Sequence, residues 1–239
     1  MQQTLSYSIV LTSIAAACSL VPATGETYSN GVLDVRLEVT AAGTRPIAFP
    51  VSEAFTGATS FVSDALTSAV DTGDLIHLWL GKHFVTYEFS GQTGSWHILE
   101  SVFRMPDDRL QHVLSDGYML TRKATGTARL NYTGTAPQES SVTVSIAARD
   151  WRLIGAPFPG ALDAEVLVNA GAQPGDKVKA WDHAESAWKT CTLTENGWEM
   201  DGIPDELTIG LAEAFLYYNG SSDTRTLTFT RPYAAQTRP

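Results

Sequence analysis

The sequence predicts an all-β protein: two tandem, homologous units, each a β-sandwich or partly open β-barrel, related by internal duplication. Three observations predict it. Apolar and polar residues alternate with period two in Val32–Val39 and again in Val142–Ile146, the pattern of a half-buried strand. Turn signals rich in Gly, Asn and Asp recur at short, regular spacing. One stretch also occurs twice, as Thr72–Ile98 and Pro174–Met200. Each copy opens on Gly-Asp (Gly73-Asp74, Gly175-Asp176), reaches a tryptophan at the same distance (Trp79, Trp181) and closes on a second (Trp96, Trp198). Between these landmarks the copies align without a gap. That reading makes Phe89 the twin of Cys191 and Tyr87 the twin of Trp188.

Taken in order, residues 1–25 read as a secretory signal. Ile9–Leu20 is a run of apolar or small residues, too short to span a bilayer as a mature helix, and Val21-Pro22-Ala23 suits cleavage after Ala23 or Gly25. Met1–Ser8 lacks the usual basic residue, so a buried strand is the alternative reading of this run. Cys18 offers lipidation as the one route to a membrane. Unit 1 spans residues 31–134 and unit 2 residues 138–233, with Thr133–Glu139 as linker and 234–239 as a flexible tail.

Each unit opens on the alternating strand. A short second strand follows, Arg45–Pro50 or Trp151–Pro157, and ends at a proline that cannot donate to a ladder. Residues 51–71 and 158–173 are the least regular parts. Ser63–Val70 reads as a short helix capped by Ser63 or Asp64, or as a loop. The repeated stretch is a three-strand meander: Asp74–Leu80, Phe84–Ser90 and Ser95–Val102, matched by Lys177–Trp181, Ala187–Leu193 and Gly197–Asp201. Asn196-Gly197 marks a tight turn. Leu114–Leu120 matches Leu211–Tyr217, and the final strands are Thr127–Tyr132 and Thr224–Phe229. The short linker makes the units touch. They sit as adjacent beads or close as a pseudo-twofold pair that hides strand edges.

The net charge of −10 repels phosphate backbones and anionic lipid heads, which excludes nucleic acid as a natural partner. Two cysteines, one inside the signal, exclude a disulfide framework and a cysteine zinc site. Cys191 reads as a small apolar core residue. The five histidines show no metal-ligand spacing that both copies keep, and the acidic loops Asp107-Asp108 and Asp205-Glu206 lack a calcium-loop pattern, so no metal or cofactor is expected. Gly91–Ser95, the nearest approach to a nucleophile elbow, reads as a hairpin turn, and no phosphate-binding glycine loop is present. Asp74 and Asp176 are expected to accept backbone N–H bonds in their turns. Core packing is expected for Trp79, Trp181, Trp96 and Trp198, whereas Trp151 and Trp188 lack a tryptophan twin and are candidates to stack on a sugar.

Four segments, Trp151–Gly160 (WRLIGAPFPG), Gly175–Asp182 (GDKVKAWD), Gly197-Trp198 and Leu211–Leu216 (LAEAFL), together resemble a module of exported bacterial surface proteins. That module, of verrucomicrobial and Bacteroidetes type, reads GWNLIGNPFP, then GD and an aromatic, then GW. Unit 2 matches it well and unit 1 loosely, with Arg152 and Ala156 replacing the usual asparagines. The resemblance implies an exported β-rich module and assigns no catalytic residue.

The sequence therefore points to a secreted, non-enzymatic protein of the cell surface, structural or adhesive, with a surface protein, a glycan or a second copy as partner. The alternative is a carbohydrate-binding module using Trp151 and Trp188 with Asp182. A third reading is a hydrolase with its site between the units.

Overall fold

The computed structural model describes residues 8–9, 32–40, 43–50, 53–54, 70–99, 113–123, 127–182 and 184–233. The chain is all-β. β1 (Ser8–Ile9) lies within the segment read as a signal and pairs with β2 (Val32–Thr40), while residues 10–31 lie outside the described residues. Unit 1 contains β2, β3 (Gly43–Ala48), β4 (Glu53–Ala54), β5 (Leu75–Trp79), β6 (Phe84–Ser90), β7 (Ser95–Ile98), β8 (Gly117–Arg122) and β9 (Thr127–Thr135). Unit 2 contains β10 (Ser141–Ile146), β11 (Trp151–Gly155), β12 (Leu162–Asp163), the helix α1 (Ala164–Ala170), β13 (Lys177–Asp182), β14 (Ala187–Thr194), β15 (Gly197–Met200), β16 (Ile203–Pro204), β17 (Thr208–Ile209), β18 (Ala214–Tyr218) and β19 (Arg225–Thr230). The expected linker begins later than its sequence suggests, because β9 runs on to Thr135. The helix expected over Ser63–Val70 lies outside the described residues except for Val70, as do Asp107 and Asp108.

The large sheet of unit 1 has the order β3-β8-β5-β6-β7, and that of unit 2 the order β11-β18-β13-β14-β15-β16. The first five positions correspond strand for strand. The first and last strands of each unit pair separately, β2 with β9 and β10 with β19. Among the described residues no sheet closes into a barrel. In unit 2 the β10–β19 ribbon lies over one face of the large sheet, as a sandwich. Val144, Ile146, Leu227 and Phe229 from the ribbon form one core with Ile154, Val178, Leu193, Trp198, Phe215 and Tyr217 from the sheet. Exposed Thr143, Ser145, Thr226 and Thr228 alternate with the ribbon's core residues, which is why this segment reads so clearly as period two.

The segment 158–173, expected to be irregular, holds α1. Asp163 caps it by accepting from Val166 N at 2.9 Å, and Leu167 and Ala170 drop into the core. The Trp198 indole donates to Ala164 O at 3.3 Å and so pins the helix to the meander. Seven residues are too few for a helix to stand alone in water, so this contact and the core burial hold it.

The register corrects the gapless alignment of the repeat. Trp79 pairs with Phe84 across four intervening residues, whereas Trp181 pairs with Trp188 across six. In the second hairpin the lengths reverse: six residues separate Phe89 from its partner Trp96, and four separate Leu193 from Trp198. The two differences cancel, so the flanking landmarks keep equal spacing. Trp188 therefore corresponds to Phe84, and Cys191 to Tyr87. A shift of two residues preserves which face a side chain occupies, so the apolar pattern matched in either alignment.

Asp74 and Asp176 are both fully buried. As expected, each accepts a turn N–H: Asp71 N at 3.0 Å for Asp74 and Gln173 N at 2.9 Å for Asp176. Each also accepts the N–H that follows its large-sheet strand, Lys123 N at 2.8 Å or Gly220 N at 2.8 Å. The charge partners differ. Arg122 Nε lies 3.3 Å from Asp74, and its Nη2 bonds Asp71 at 2.5 Å. Arg225 Nε lies 3.2 Å from Asp176 as a charge partner rather than along a hydrogen-bond axis, while the Tyr217 hydroxyl donates at 2.5 Å. Burial, reinforced by this bond, holds the Tyr217 hydroxyl well above its ordinary pKa. Removing a buried partner of this kind strands the remaining charge. Asp176→Ala is expected to lower unfolding stability by roughly 3–5 kcal/mol in urea titration, and Tyr217→Phe by about 1 kcal/mol.

The units close on each other reciprocally, as across a twofold axis. Ala48 N donates to Ala212 O at 2.8 Å, and the corresponding Gly155 N donates to Ser115 O at 3.0 Å. Asp116 forms a bridge with Ile154. Ala212, at φ +60°, is buried in the core of unit 1 beside Ile47 and Phe49. The backbones can meet only because side chains are absent. A Cβ on Gly155 would lie 2.4 Å from Asp116 O, and one on Gly117 would lie 2.7 Å from Ala214 Cβ. Gly155→Ala is expected to destabilise the protein by roughly 1–3 kcal/mol through this overlap, read as a lowered urea midpoint with an unchanged circular dichroism spectrum.

Candidate functional site

Each large sheet has a second face, turned away from its buried core. Near the contact between units the two outer faces share a small apolar cluster of Ala48, Met119, Leu153 and Ala214, with Trp79, Trp188 and Leu216 packed against it. Trp79 and Trp181 were expected in the core. Alternation instead puts them on the outer face, because Ile76 and Val178 take the inner one. Each stands edge-on to the aromatic beside it, Trp79 to Phe84 at 4.8 Å and Trp181 to Trp188 at 5.3 Å between ring centroids. Trp96 and Trp198 are buried as expected.

Further from the contact, matching positions on the two outer faces hold different chemistry. In unit 1, Thr44 lies opposite Thr121 and His77 opposite Thr86 on four adjacent strands, with Thr121 diagonal to His77 because its ladder partner is Leu75. Thr44 and Thr121 hydroxyls meet at 2.7 Å, and His77 bonds Thr121 through Nε2 and Thr86 through Nδ1, both at 3.0 Å. The corresponding residues of unit 2 are Trp151, Tyr218, Lys179 and Thr190, in the same register. Trp151 and Tyr218 rings lie 5.1 Å apart with planes at 42°, and the Lys179 ammonium sits 5.0 Å above the Trp151 ring. Lys177, beside Tyr218 in the ladder, corresponds to Leu75.

The three sequence-derived candidates do not form one site. Trp151 and Trp188 are both half-buried on the outer face of unit 2. They stand three strands apart and on different rows, roughly 19 Å from each other at ordinary strand spacing and rise. One sugar ring cannot touch both. Trp188 belongs to the contact between units. Asp182 occupies the opposite face at the end of β13, where its carboxylate accepts from Ala184 N at 2.7 Å and Glu185 N at 3.0 Å and pairs with Lys189. The Lys189 bond, with those N–H groups, holds the Asp182 pKa below the usual carboxylate range. It closes the longer first hairpin of unit 2. Sequence reasoning passed over Lys177, Lys179 and Tyr218. Their signal was the strand Lys-Val-Lys, set against Leu-Ile-His in unit 1.

Other polar clusters have identifiable work. Asp116 is pushed above the usual carboxylate range by burial, against the pull of Arg152 at 4.0 Å across the unit boundary. Glu213, at the corresponding position of unit 2, accepts from Gly210 N at 2.9 Å. On the exposed second turn of unit 1, Ser95 Oγ lies 3.2 Å from His97 Nε2, with Thr93 between them. Among the described residues no three His, Cys, Asp or Glu side chains are grouped to hold a metal ion. No helix among them is long and apolar enough to cross a membrane. No protein-family model, curated protein or solved structure matches the chain.

Cys191 is buried in the unit 2 core, and burial pushes its thiol from 9.0 to about 11. A raised folded-state pKa means the folded chain holds the proton where the unfolded chain has lost it. The stabilisation is complete below pH 9.0 and is lost as pH rises toward about 11. The urea midpoint is expected to fall through this window, and Cys191→Ala is expected to flatten the fall.

Proposed function

We propose that this is an exported, non-enzymatic surface or adhesive protein that binds its partner through the outer face of unit 2. One observation carries the reading. Strand order and register match in the two units, and the buried aspartates match as well, yet the outer faces at equivalent positions do not. Unit 1 presents hydroxyls and an imidazole bonded to one another, and unit 2 presents two aromatics and two lysines. Shared positions that hold a fold together drift slowly in chemistry, whereas an interaction surface can change on a fixed scaffold. The internal duplication accounts for the matched topology. The apolar run Ile9–Leu20, the cleavage residues near Ala23 and the resemblance to exported surface modules support export.

Expression of the full chain in a bacterial host tests both parts. Exported material is expected to begin at Thr24 or Glu26, read by N-terminal sequencing, and intact Met1 in the cytoplasm would overturn export. Labelled protein is expected to be retained on cell-envelope preparations. Trp151→Ala/Tyr218→Ala is expected to lose most of that retention while keeping the unfolding free energy from urea titration within about 1 kcal/mol of the wild type.

A further inference from the structure

We propose that the outer face of unit 2 binds an acidic glycan, with Trp151 and Tyr218 holding a uronic acid ring and Lys179 and Lys177 receiving its carboxylate. The proposal rests on the reading of this protein as an exported binder and names the partner's chemistry.

The chain carries 26 acidic residues against 16 basic ones. Two lysines side by side on one strand face therefore concentrate positive charge on an acidic surface. Lys189, Lys123 and Arg152 all stand within ion-pair distance of an acid. Among the described residues, neither Lys177 nor Lys179 has a carboxylate within that distance. The contact shown for Lys179 is the π face of Trp151, 5.0 Å away. A cation–π contact orients an ammonium without neutralising it, so the charge stays available to an anion. The nearest neighbours in the ladder are uncharged: Thr190 beside Lys179, and Thr192 and Tyr218 beside Lys177. Lys177 and Lys179 share the outer face because they are two residues apart on β13.

The aromatic component favours a sugar over a simple anion. Trp151 lies on the edge strand β11, and its ring leans against Tyr218 on the neighbouring strand, giving two adjacent π surfaces next to the lysines. The C–H groups of a pyranose face carry partial positive charge and lie well against the negative face of an aromatic ring. A uronic acid supplies both parts, a C–H face and a carboxylate on the same ring. Unit 1 provides an internal control. Its equivalent positions are satisfied by the Thr44–Thr121–His77–Thr86 chain, and Leu75 replaces Lys177.

Isothermal titration of the full chain with a galacturonic acid oligosaccharide tests the assignment, beside a neutral galactose oligosaccharide and polyglutamate. The acidic sugar is expected to bind, and raising salt to 1 M is expected to weaken it roughly tenfold, as screening requires. Lys179→Met and Trp151→Ala are each expected to weaken binding by roughly tenfold, with the urea midpoint monitored to show that each variant is folded. Thr44→Val in unit 1 is expected to leave binding unchanged. Equal binding of the neutral sugar would overturn the role of the lysines. Equal binding of polyglutamate would replace the glycan with an acidic polypeptide. Loss on Thr44→Val, or no uronate binding at all, would overturn the placement. Retention on envelopes without uronate binding would sink this inference alone and leave the exported-binder reading standing.

Discussion

A carboxylate removed from water must find donors and a positive charge, and this requirement organises each half of the protein. Asp74 and Asp176 sit where the turn before the meander passes the end of the neighbouring strand, and each joins the two by accepting an N–H from both. The position of the meander against β8 or β18 follows from that. The cation is free to vary. Arg122 supplies it from within the large sheet of unit 1, whereas Arg225 supplies it from the ribbon of unit 2. The position of Arg122 is taken in unit 2 by Asn219, whose amide donates to Ile146, Ala147 and Asp223 carbonyls instead. In unit 2 the buried aspartate therefore also fastens the ribbon to the sheet.

The contact between units depends on a different economy, the absence of side-chain volume. Gly117, Gly155, Ala48 and Ala214 let backbones approach closely enough to exchange reciprocal hydrogen bonds. Large aromatics then flank this narrow region: Trp79 and Trp188 pack against it, and Trp181 stands edge-on to Trp188. The contact occupies the near end of both outer faces and leaves their far ends to diverge. One is a closed chain of hydroxyls and an imidazole, and the other a pair of aromatics beside two lysines with no carboxylate partner among the described residues.

Much of this was legible in the sequence. Period-two alternation located the ribbon strands, because one of their faces meets the core and the other meets water. The repeated Gly-Asp marked Asp74 and Asp176 as acceptors of turn N–H bonds, while their burial and charge partners came from the fold. The helix Ala164–Ala170 escaped notice because its seven residues are too few to show a helical period and its stability comes from Trp198 and the core. Asp182 looked available for a ligand, but its use is local to a turn whose length the alignment had misjudged. Trp151 was singled out as unmatched, while Lys177, Lys179 and Tyr218 were not, since two lysines in a strand read as an ordinary solvated face.

The sequence by itself determined the strand content and the alternation of the ribbon strands, because these depend on local spacing of apolar residues and turn formers. Only the tertiary structure decided which face of a strand is the core and which residues of the first unit correspond to Trp188 and Cys191. Compensating changes of two residues in adjacent hairpins leave both the spacing of landmarks and the parity of every side chain intact, so nothing in the linear pattern registers them. The meeting of Trp151, Tyr218 and Lys179 was settled the same way, by the register of three strands distant in the chain. Register is fixed by the bonds between strands, and those bonds exist only once the sheet has formed.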